Sequence, residues 1–269
     1  MNDVETKAIQ KELLKLIGFF DSICKQYNLI YFMMGGTLLG AVRHKGFIPW
    51  DDDADFGMKF NDYFALKQLI LSGTIKSEEY GFSLLENGAE YCMPFLKIFS
   101  KRCNIIEEGK EGIQQGLFID VFPVSFCGNT KKEALKNRSK YRLLYSLSNR
   151  KNYHVCCANP IRNLILETMS RCISKKQLAN KIDAFYKKMN KKETNFSCDF
   201  DGNEKGIVES GLLNDLSSFT FENLKLPGFS HFDEYLKDIF GEYLILPPEK
   251  DRHSHIVSYQ IVENGKAAV

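Results

Sequence analysis

Four aspartates, Asp51, Asp52, Asp53 and Asp55, fall within five residues, and a glycine-rich run, Gly35-Gly36-Thr37-Leu38-Leu39-Gly40-Ala41-Val42-Arg43-His44, precedes them at short range. On an extended strand alternate side chains share a face, with residues two apart separated by roughly 6.5–7 Å. Asp51, Asp53 and Asp55 would then point the same way and repel one another unless cations neutralise them. Hard carboxylate oxygens suit Mg²⁺ or Mn²⁺, and two carboxylates on one strand face can bridge such ions. Asp53 and Asp55 are the foremost metal candidates, with Asp51 beside them. The competing reading is a solvated acidic turn, the usual fate of a charge run. A calcium loop is a second rival, since Asp51, Asp53, Asp55 and Asp62 stand at positions one, three, five and twelve of an EF-hand pattern, but position six demands glycine and holds Phe56.

A Walker A loop fails as well, because Ala41-Val42 stands where Lys-Ser/Thr belongs. Gly35 and Gly36 still let a phosphate approach backbone N–H groups, and the Thr37 hydroxyl would add a donor. Asp120 is the second informative carboxylate, since Gly116-Leu117-Phe118-Ile119-Asp120-Val121-Phe122-Pro123 surrounds it with apolar side chains. A charge there needs a partner, either a structural Lys or Arg or a metal held jointly with Asp53 and Asp55. Cations that would meet phosphate oxygens are Arg43, Lys97 within Phe95-Leu96-Lys97-Ile98, and Arg252. A lysine between apolar neighbours is unusual in a buried strand, although a salt bridge to a carboxylate explains it equally well. His44, His253 and His255 read as surface or hydrogen-bonding residues and not as metal ligands.

These groups need elements to hold them. Ile9, Leu13, Leu16, Ile17, Phe20, Cys24 and Tyr27 follow helical spacing, with Asp3 or Thr6 as cap and Asn28 as terminus. Leu29 to Met34 reads as a buried strand, Ala54 to Met58 as another, and Tyr63, Leu66, Leu69 and Ile70 as one face of a helix. Phe95 to Ser100 and Leu117 to Val124 read as strands, the second closed by Pro123, and Leu224 to Leu226 as a further one. From Lys131 to about Asn195 the signals are helical, with Ile161, Leu164, Ile165, Met169 and Ile173 on one stripe. Ser230 and Asp233 resemble a capping box for a helix that Gly241 stops. Glu204 to Ser210 reads as a loop.

With 269 residues, 44% hydrophobic and 26% charged, the chain is globular. Its formal charge of +2 argues against a nucleic-acid partner, so any basic function must be local. Such a patch exists at Lys131, Lys132, Lys136, Arg138, Lys140, Arg142, Arg150 and Lys151, set against the single acid Glu133. It would guide the protein to an anionic acceptor or to the membrane surface that carries it. The N-terminus shows no signal-peptide pattern and no apolar run is long enough to span a bilayer, so a cytoplasmic location is expected, with the inner face of the membrane within reach. Eight scattered cysteines without CxxC spacing read as reduced thiols; Cys156-Cys157 after His154 forms at most half a metal site.

The run Gly35 to Arg43, followed by Ile48-Pro49-Trp50-Asp51-Asp52-Asp53-Ala54-Asp55, strongly resembles the signature of LicD-type transferases, seen also in fukutin-related protein. Leu117 to Pro123 looks like the family's downstream aspartate strand, and Tyr235 through Phe240-Gly241-Glu242-Tyr243 to Pro247-Pro248-Glu249 and Arg252 looks like its C-terminal segment. Phe240-Gly241-Glu242 departs from the Tyr-Gly-Asp-like string expected there. The resemblance implies an α/β (α+β) nucleotidyltransferase-like fold, a mixed sheet flanked by helices with a helical insert. A single catalytic domain is expected, with core 1–128, insert about 129–200 and a segment 201–269 completing the core. It also implies Mg²⁺ held by Asp53, Asp55 and Asp120, and transfer of phosphocholine from CDP-choline, or another CDP-alcohol, to a hydroxyl of a teichoic acid or lipopolysaccharide precursor, with release of CMP. Asp120 would serve as general base, and Lys97 or Arg252 would offset phosphoryl charge. The alternatives are a nucleotidyltransferase that attaches a nucleoside monophosphate and releases pyrophosphate, and a non-enzymatic module binding Ca²⁺ or a polyanion.

Overall fold

A computed structural model describes residues 3–88, 93–110, 115–152, 159–202, 204–263 and 266–267. His154, Cys92, Cys156 and Cys157 lie outside the described residues. The elements in chain order are α1 (Asp3–Gln26), β1 (Phe32–Met33), α2 (Gly35–His44), β2 (Asp55–Lys59), α3 (Phe60–Leu71), β3 (Tyr80–Ser83), β4 (Leu96–Glu107) and β5 (Gln115–Gly128). Three helices follow, α4 (Lys131–Asn152), α5 (Pro160–Cys172) and α6 (Lys175–Met189), then β6 (Phe196–Asp199), β7 (Val208–Glu209), β8 (Leu216–Phe221), β9 (Leu224–Phe229), α7 (Phe232–Phe240), β10 (Ile256–Glu263) and β11 (Lys266–Ala267). The fold is the expected mixed α/β arrangement, with a sheet ordered β1-β2-β5-β4-β10-β11, β3 also on β4 and β6 continuing along β5. β8 and β9 form a separate hairpin.

The apolar stripe of α1 (Ile9, Leu13, Leu16, Ile17 and Phe20) is fully buried and packs with Phe32, Phe56, Leu96 and Ile119 into the main core. Burial of that stripe against a sheet face, not intrinsic propensity, is what holds such a helix in place. A second core lies under α4 and α6, where Tyr141, Tyr186 and Phe200 are buried against Leu178 and Ile182. β2 is parallel to β5, with Asp55 opposite Asp120, while β4 is antiparallel to β5, with Lys97 opposite Asp120. Three charged residues on three adjacent strands therefore meet at one level of the sheet.

Several local expectations change. Leu29 to Met34 yields only the two-residue β1, because Leu29 and Asn28 turn back on α1 through a Leu29 N–H to Cys24 carbonyl bond of 2.8 Å. Pro123 does not close β5, which runs on to Gly128. β4 pairs up to Val121 and β6 takes over at Val124, so Pro123 occupies the gap between two partners on that edge, where no ladder N–H is required of it. Ser230 does not cap α7: its hydroxyl donates to Asp215 Oδ1 at 2.8 Å, and His231 occupies the cap position without a side-chain bond. Gly241 does end α7, at φ +69°, a conformation that favours glycine. The stretch read as a loop from Glu204 contains β7, paired to β6.

Candidate active site

The aspartate row is not a strand from its start. Residues 51–54 run as a loop, and β2 begins at Asp55. Gln10 Nε2 holds this loop, donating to the carbonyls of Ile48 at 3.0 Å and Asp51 at 2.8 Å. Only Asp52 leaves the group; Asp51, Asp53 and Asp55 stay close enough to feel one another's charge. Asp51 and Asp55 reach the N-terminus of α2: a methyl group built on Gly36 would lie 3.1 Å from Asp51 Oδ2, and one on Gly35 3.7 Å from Asp55 Oδ2. Gly35 sits at φ +50°, a backbone conformation that glycine adopts readily. Asp53 turns toward His255, with Nε2 3.7 Å from Oδ2. Asp52 points away, is 1% exposed, and accepts the backbone N–H groups of His255 at 2.9 Å and Ile256 at 2.7 Å. It ties the loop to β10.

Asp120 stands beside Asp55 on the neighbouring strand, and its oxygens accept from Lys97 Nζ at 2.8 and 3.1 Å. Lys97 is 4% exposed and its Nζ lies 3.2 Å from the centroid of the Phe118 ring. The salt bridge and the carboxylate cluster are thus parts of one arrangement. Burial, then the charges of Asp53, Asp120 and Asp51, push the Asp55 carboxyl well above its ordinary range, with Lys97 opposing. Burial, then Asp53 and Asp52, push Asp51 up as well, and Asp51 and Asp53 share a hydrogen bond. Burial raises Asp53 despite the opposing field of His255. Asp120 is pushed up to about 6 by burial, held from rising further by Lys97. Such mutual elevation of acids marks a site where negative charge is concentrated and incompletely balanced.

α2 presents an N-terminus at this place with no side-chain cap and no acidic residue in its first turn. The Gly35 N–H is taken by the Tyr235 hydroxyl at 3.0 Å, and the Asp55 N–H by Thr37 Oγ1 at 2.8 Å. Thr37 is 3% exposed, so the structure makes it the residue that positions Asp55. Arg43 is not brought to the carboxylates. It sits in the last turn of α2 and donates to the Tyr243 carbonyl at 2.7 Å and to His44 Nε2 at 2.9 Å. Arg252 reaches the residue before the aspartate row: its guanidinium lies 4.6 Å from the Trp50 ring centroid, while Nε donates to the Pro247 carbonyl at 3.0 Å. Asp62 begins α3 and accepts the Ile30 N–H at 3.3 Å, so residues 51–62 form loop, strand and helix and not a calcium loop. Sequence spacing gave no sign of Tyr235, His255 or Gln10, since each acts across some 40 to 200 residues of chain.

Asp53, Lys97, Asp120 and His255 open onto a cavity of about 190 Å³ whose other walls include Phe95, Phe118, Tyr145 and Glu107. A larger cavity of about 620 Å³ lies at the far end of β2, lined by Lys59, Asn190, Asn195 and Asn214. It holds none of the clustered carboxylates, whereas Asp52, Asp53 and Asp120 line the smaller one. Among the described residues no three acids, histidines or cysteines converge on a single metal position as their side chains stand. The donor set nevertheless suits a hard divalent cation, being all oxygen, mutually repelling and only partly neutralised by Lys97.

Residues 28–141 match the family described as LicD/FKTN/FKRP, nucleotidyltransferase domain. The chain is 28% identical over 95% of its length to the lipopolysaccharide cholinephosphotransferase LicD of Haemophilus influenzae, covering 97% of that protein. It is also 33% identical over 63 residues to ribitol 5-phosphate transferase FKRP of human and mouse, 23% of this chain and 12% of each of those proteins. Among the described residues no helix is long and apolar enough to cross a membrane.

Proposed function

We propose that this chain, a LicD homologue with a LicD/FKTN/FKRP nucleotidyltransferase domain at residues 28–141, transfers phosphocholine from CDP-choline to a sugar hydroxyl of a cell-surface glycan precursor. The observation that carries this reading is the pairing of Asp55 with Asp120 across parallel strands, with Lys97 on the third strand and the open N-terminus of α2 alongside. Asp55, Asp120 and Asp53, with Asp51 adjacent, would hold Mg²⁺ or Mn²⁺. When bound, the cation supplies charge neutralisation of the donor diphosphate. The N-terminus of α2 faces the same point and favours phosphate oxygens. Lys97 balances charge on the phosphoryl group, and Arg252, held over the Trp50 ring, would offset charge on the departing nucleotide phosphate.

The acceptor oxygen bonds to the phosphorus that bears choline, the bond from that phosphorus to the CMP oxygen breaks, and CMP leaves with the electron pair. The hydroxyl proton passes to Asp120, through a carboxylate oxygen that the cation does not occupy. A quaternary ammonium is stabilised by aromatic faces and a nearby carboxylate, and Phe95, Phe118, Tyr145 and Glu107 supply both in the same cavity. Incubation with CDP-choline, Mg²⁺ and a lipid-linked glycan extract should release CMP and add phosphocholine to the glycan. Release of pyrophosphate from CTP or ATP, with a nucleoside monophosphate on the product, would overturn this reading in favour of nucleotidyl transfer.

A further inference from the structure

The helix α5 carries an apolar face that nothing among the described residues covers. Ile161 is 71% exposed, Leu164 69%, Ile165 54% and Met169 40%, and Cys172 is exposed as well. At 3.6 residues per turn these side chains share one face, Leu166 and Ser170 are buried on the opposite one, and Arg162 and Arg171 border the apolar face on its two sides. The stripe visible in the sequence is therefore turned outward, where an ordinary surface helix would be polar.

The neighbouring helix is rich in exposed cations. α4 packs against α5 and exposes Lys131, Lys132, Lys136, Lys140 and Arg142, with Leu135 and Leu143 exposed among them. Lys176, at the start of α6, is also exposed. Not every cation of α4 belongs to this surface: Arg138 is bound to the Gly202 carbonyl, Lys151 to the Ser170 carbonyl, and Arg150 to Asn163 Oδ1 at 2.9 Å. Arg150 and Lys151 tie α4 to α5, and Arg138 ties α4 to the turn after β6. The remaining cations lie on the outward face of α4.

An exposed apolar helical face bordered by arginines and backed by lysines has the chemistry of a helix lying in the headgroup region of an anionic bilayer. A second protein surface would need an acidic rim and an apolar centre, and a neutral bilayer would leave the cations without partners. We propose that α5 docks this protein on an anionic membrane, its apolar face among the acyl-chain ends and the α4 cations at the headgroups. Tyr145 of α4 lines the carboxylate cavity, so the docking helices are continuous with a wall of the site. The docking surface stands independently of the donor assigned above.

The test uses the full chain and vesicles of phosphatidylcholine alone or with phosphatidylglycerol. The wild type should sediment with phosphatidylglycerol-containing vesicles at low salt and stay in solution with phosphatidylcholine alone. The triple variant Ile161→Ser, Leu164→Ser, Ile165→Ser removes only exposed side chains and should weaken binding at least about tenfold, while CMP release from CDP-choline in a detergent-dispersed acceptor assay is unchanged. The variant Lys136→Glu, Lys140→Glu, Arg142→Glu should lose the phosphatidylglycerol dependence. A tryptophan at position 164 (Leu164→Trp) should shift its emission to the blue on adding anionic vesicles. Equal vesicle binding by wild type and triple serine variant, or an unshifted Leu164→Trp emission, overturns the proposal. So does a wild-type dimer in solution that the serine variant converts to monomer without any vesicle binding, which would make the face an interface between copies.

Discussion

Replacing Asp55 with asparagine should stabilise the metal-free protein while abolishing transfer. Asp55 and Asp120 face each other across strands that lie about 4.8 Å apart. Two full charges at roughly 5 Å repel by about 3 kcal/mol in a medium of effective dielectric near 20. Lys97 bridges Asp120 and cancels much of this, and partial exposure of Asp55 screens the rest, so a net gain of about 1 kcal/mol is expected. For a chain of this size that amounts to roughly 2–4 °C in Tm. The sign depends on pH. The Asp55 pKa is raised in the fold from an ordinary 3.8, so the penalty is absent below that value and develops as pH rises toward the folded pKa. The stabilisation by Asp55→Asn should therefore be near zero at about pH 4 and fully developed above the raised pKa. Differential scanning calorimetry in EDTA at about pH 4 and about pH 8 measures both. A variant less stable than wild type in EDTA at the higher pH, or equally shifted at both, would refute the idea that these carboxylates strain the metal-free fold.

Magnesium should raise the wild-type Tm near neutral pH, and the shift should fade below about 6 as Asp120 takes up a proton; thermal shift across a pH series checks it. Asp52→Ala should cost about 2–4 kcal/mol, because it leaves the N–H groups of His255 and Ile256 without their buried acceptor, and urea denaturation reads the loss. Asp52→Asn should also destabilise, by about 1–3 kcal/mol. Tyr235→Phe removes the acceptor of the Gly35 N–H and should lower kcat with a stability loss of only about 1 kcal/mol, measured by CMP release and Tm together. Arg43→Ala should lower Tm through the lost Tyr243 contact and leave KM for the donor unchanged, which separates its observed role from a phosphate-binding one.

What the sequence revealed of the site was the part written locally. The glycine pair and the aspartate row are close in the chain, and Asp120 and Lys97 each betray themselves as charges in apolar strands. Their pairing was one of two readings open before the fold was known, and the salt bridge and the carboxylate cluster turn out to coexist. The alternation rule placed Asp51, Asp53 and Asp55 on one face, but it applies only to strand, and the strand starts at Asp55. Asp53 faces His255 yet still shares a hydrogen bond with Asp51, so the three carboxylates keep company without a strand to align them. Tyr235 and His255 had no legible signal, since one tyrosine on an amphipathic helix and one histidine near a terminus look ordinary until the sheet brings them to Gly35 and Asp53. Ser230 and Asp233 had the right spacing for a cap, and a nearer acceptor, Asp215, took the hydroxyl.

The link between Asp52 and residues 255–256 also governs the order in which the site can exist during synthesis. Every carboxylate of the cluster is made by the time residue 120 emerges, but the loop that carries three of them is fastened by backbone from β10 and the mouth of α2 by a tyrosine of α7. A ribosome-bound chain can thus hold all its acids and none of their final geometry, because contacts so distant in sequence are the slowest to close. Nascent chains halted before about residue 250 should bind Mg²⁺ far more weakly than the released protein, although they contain Asp51, Asp52, Asp53, Asp55 and Asp120.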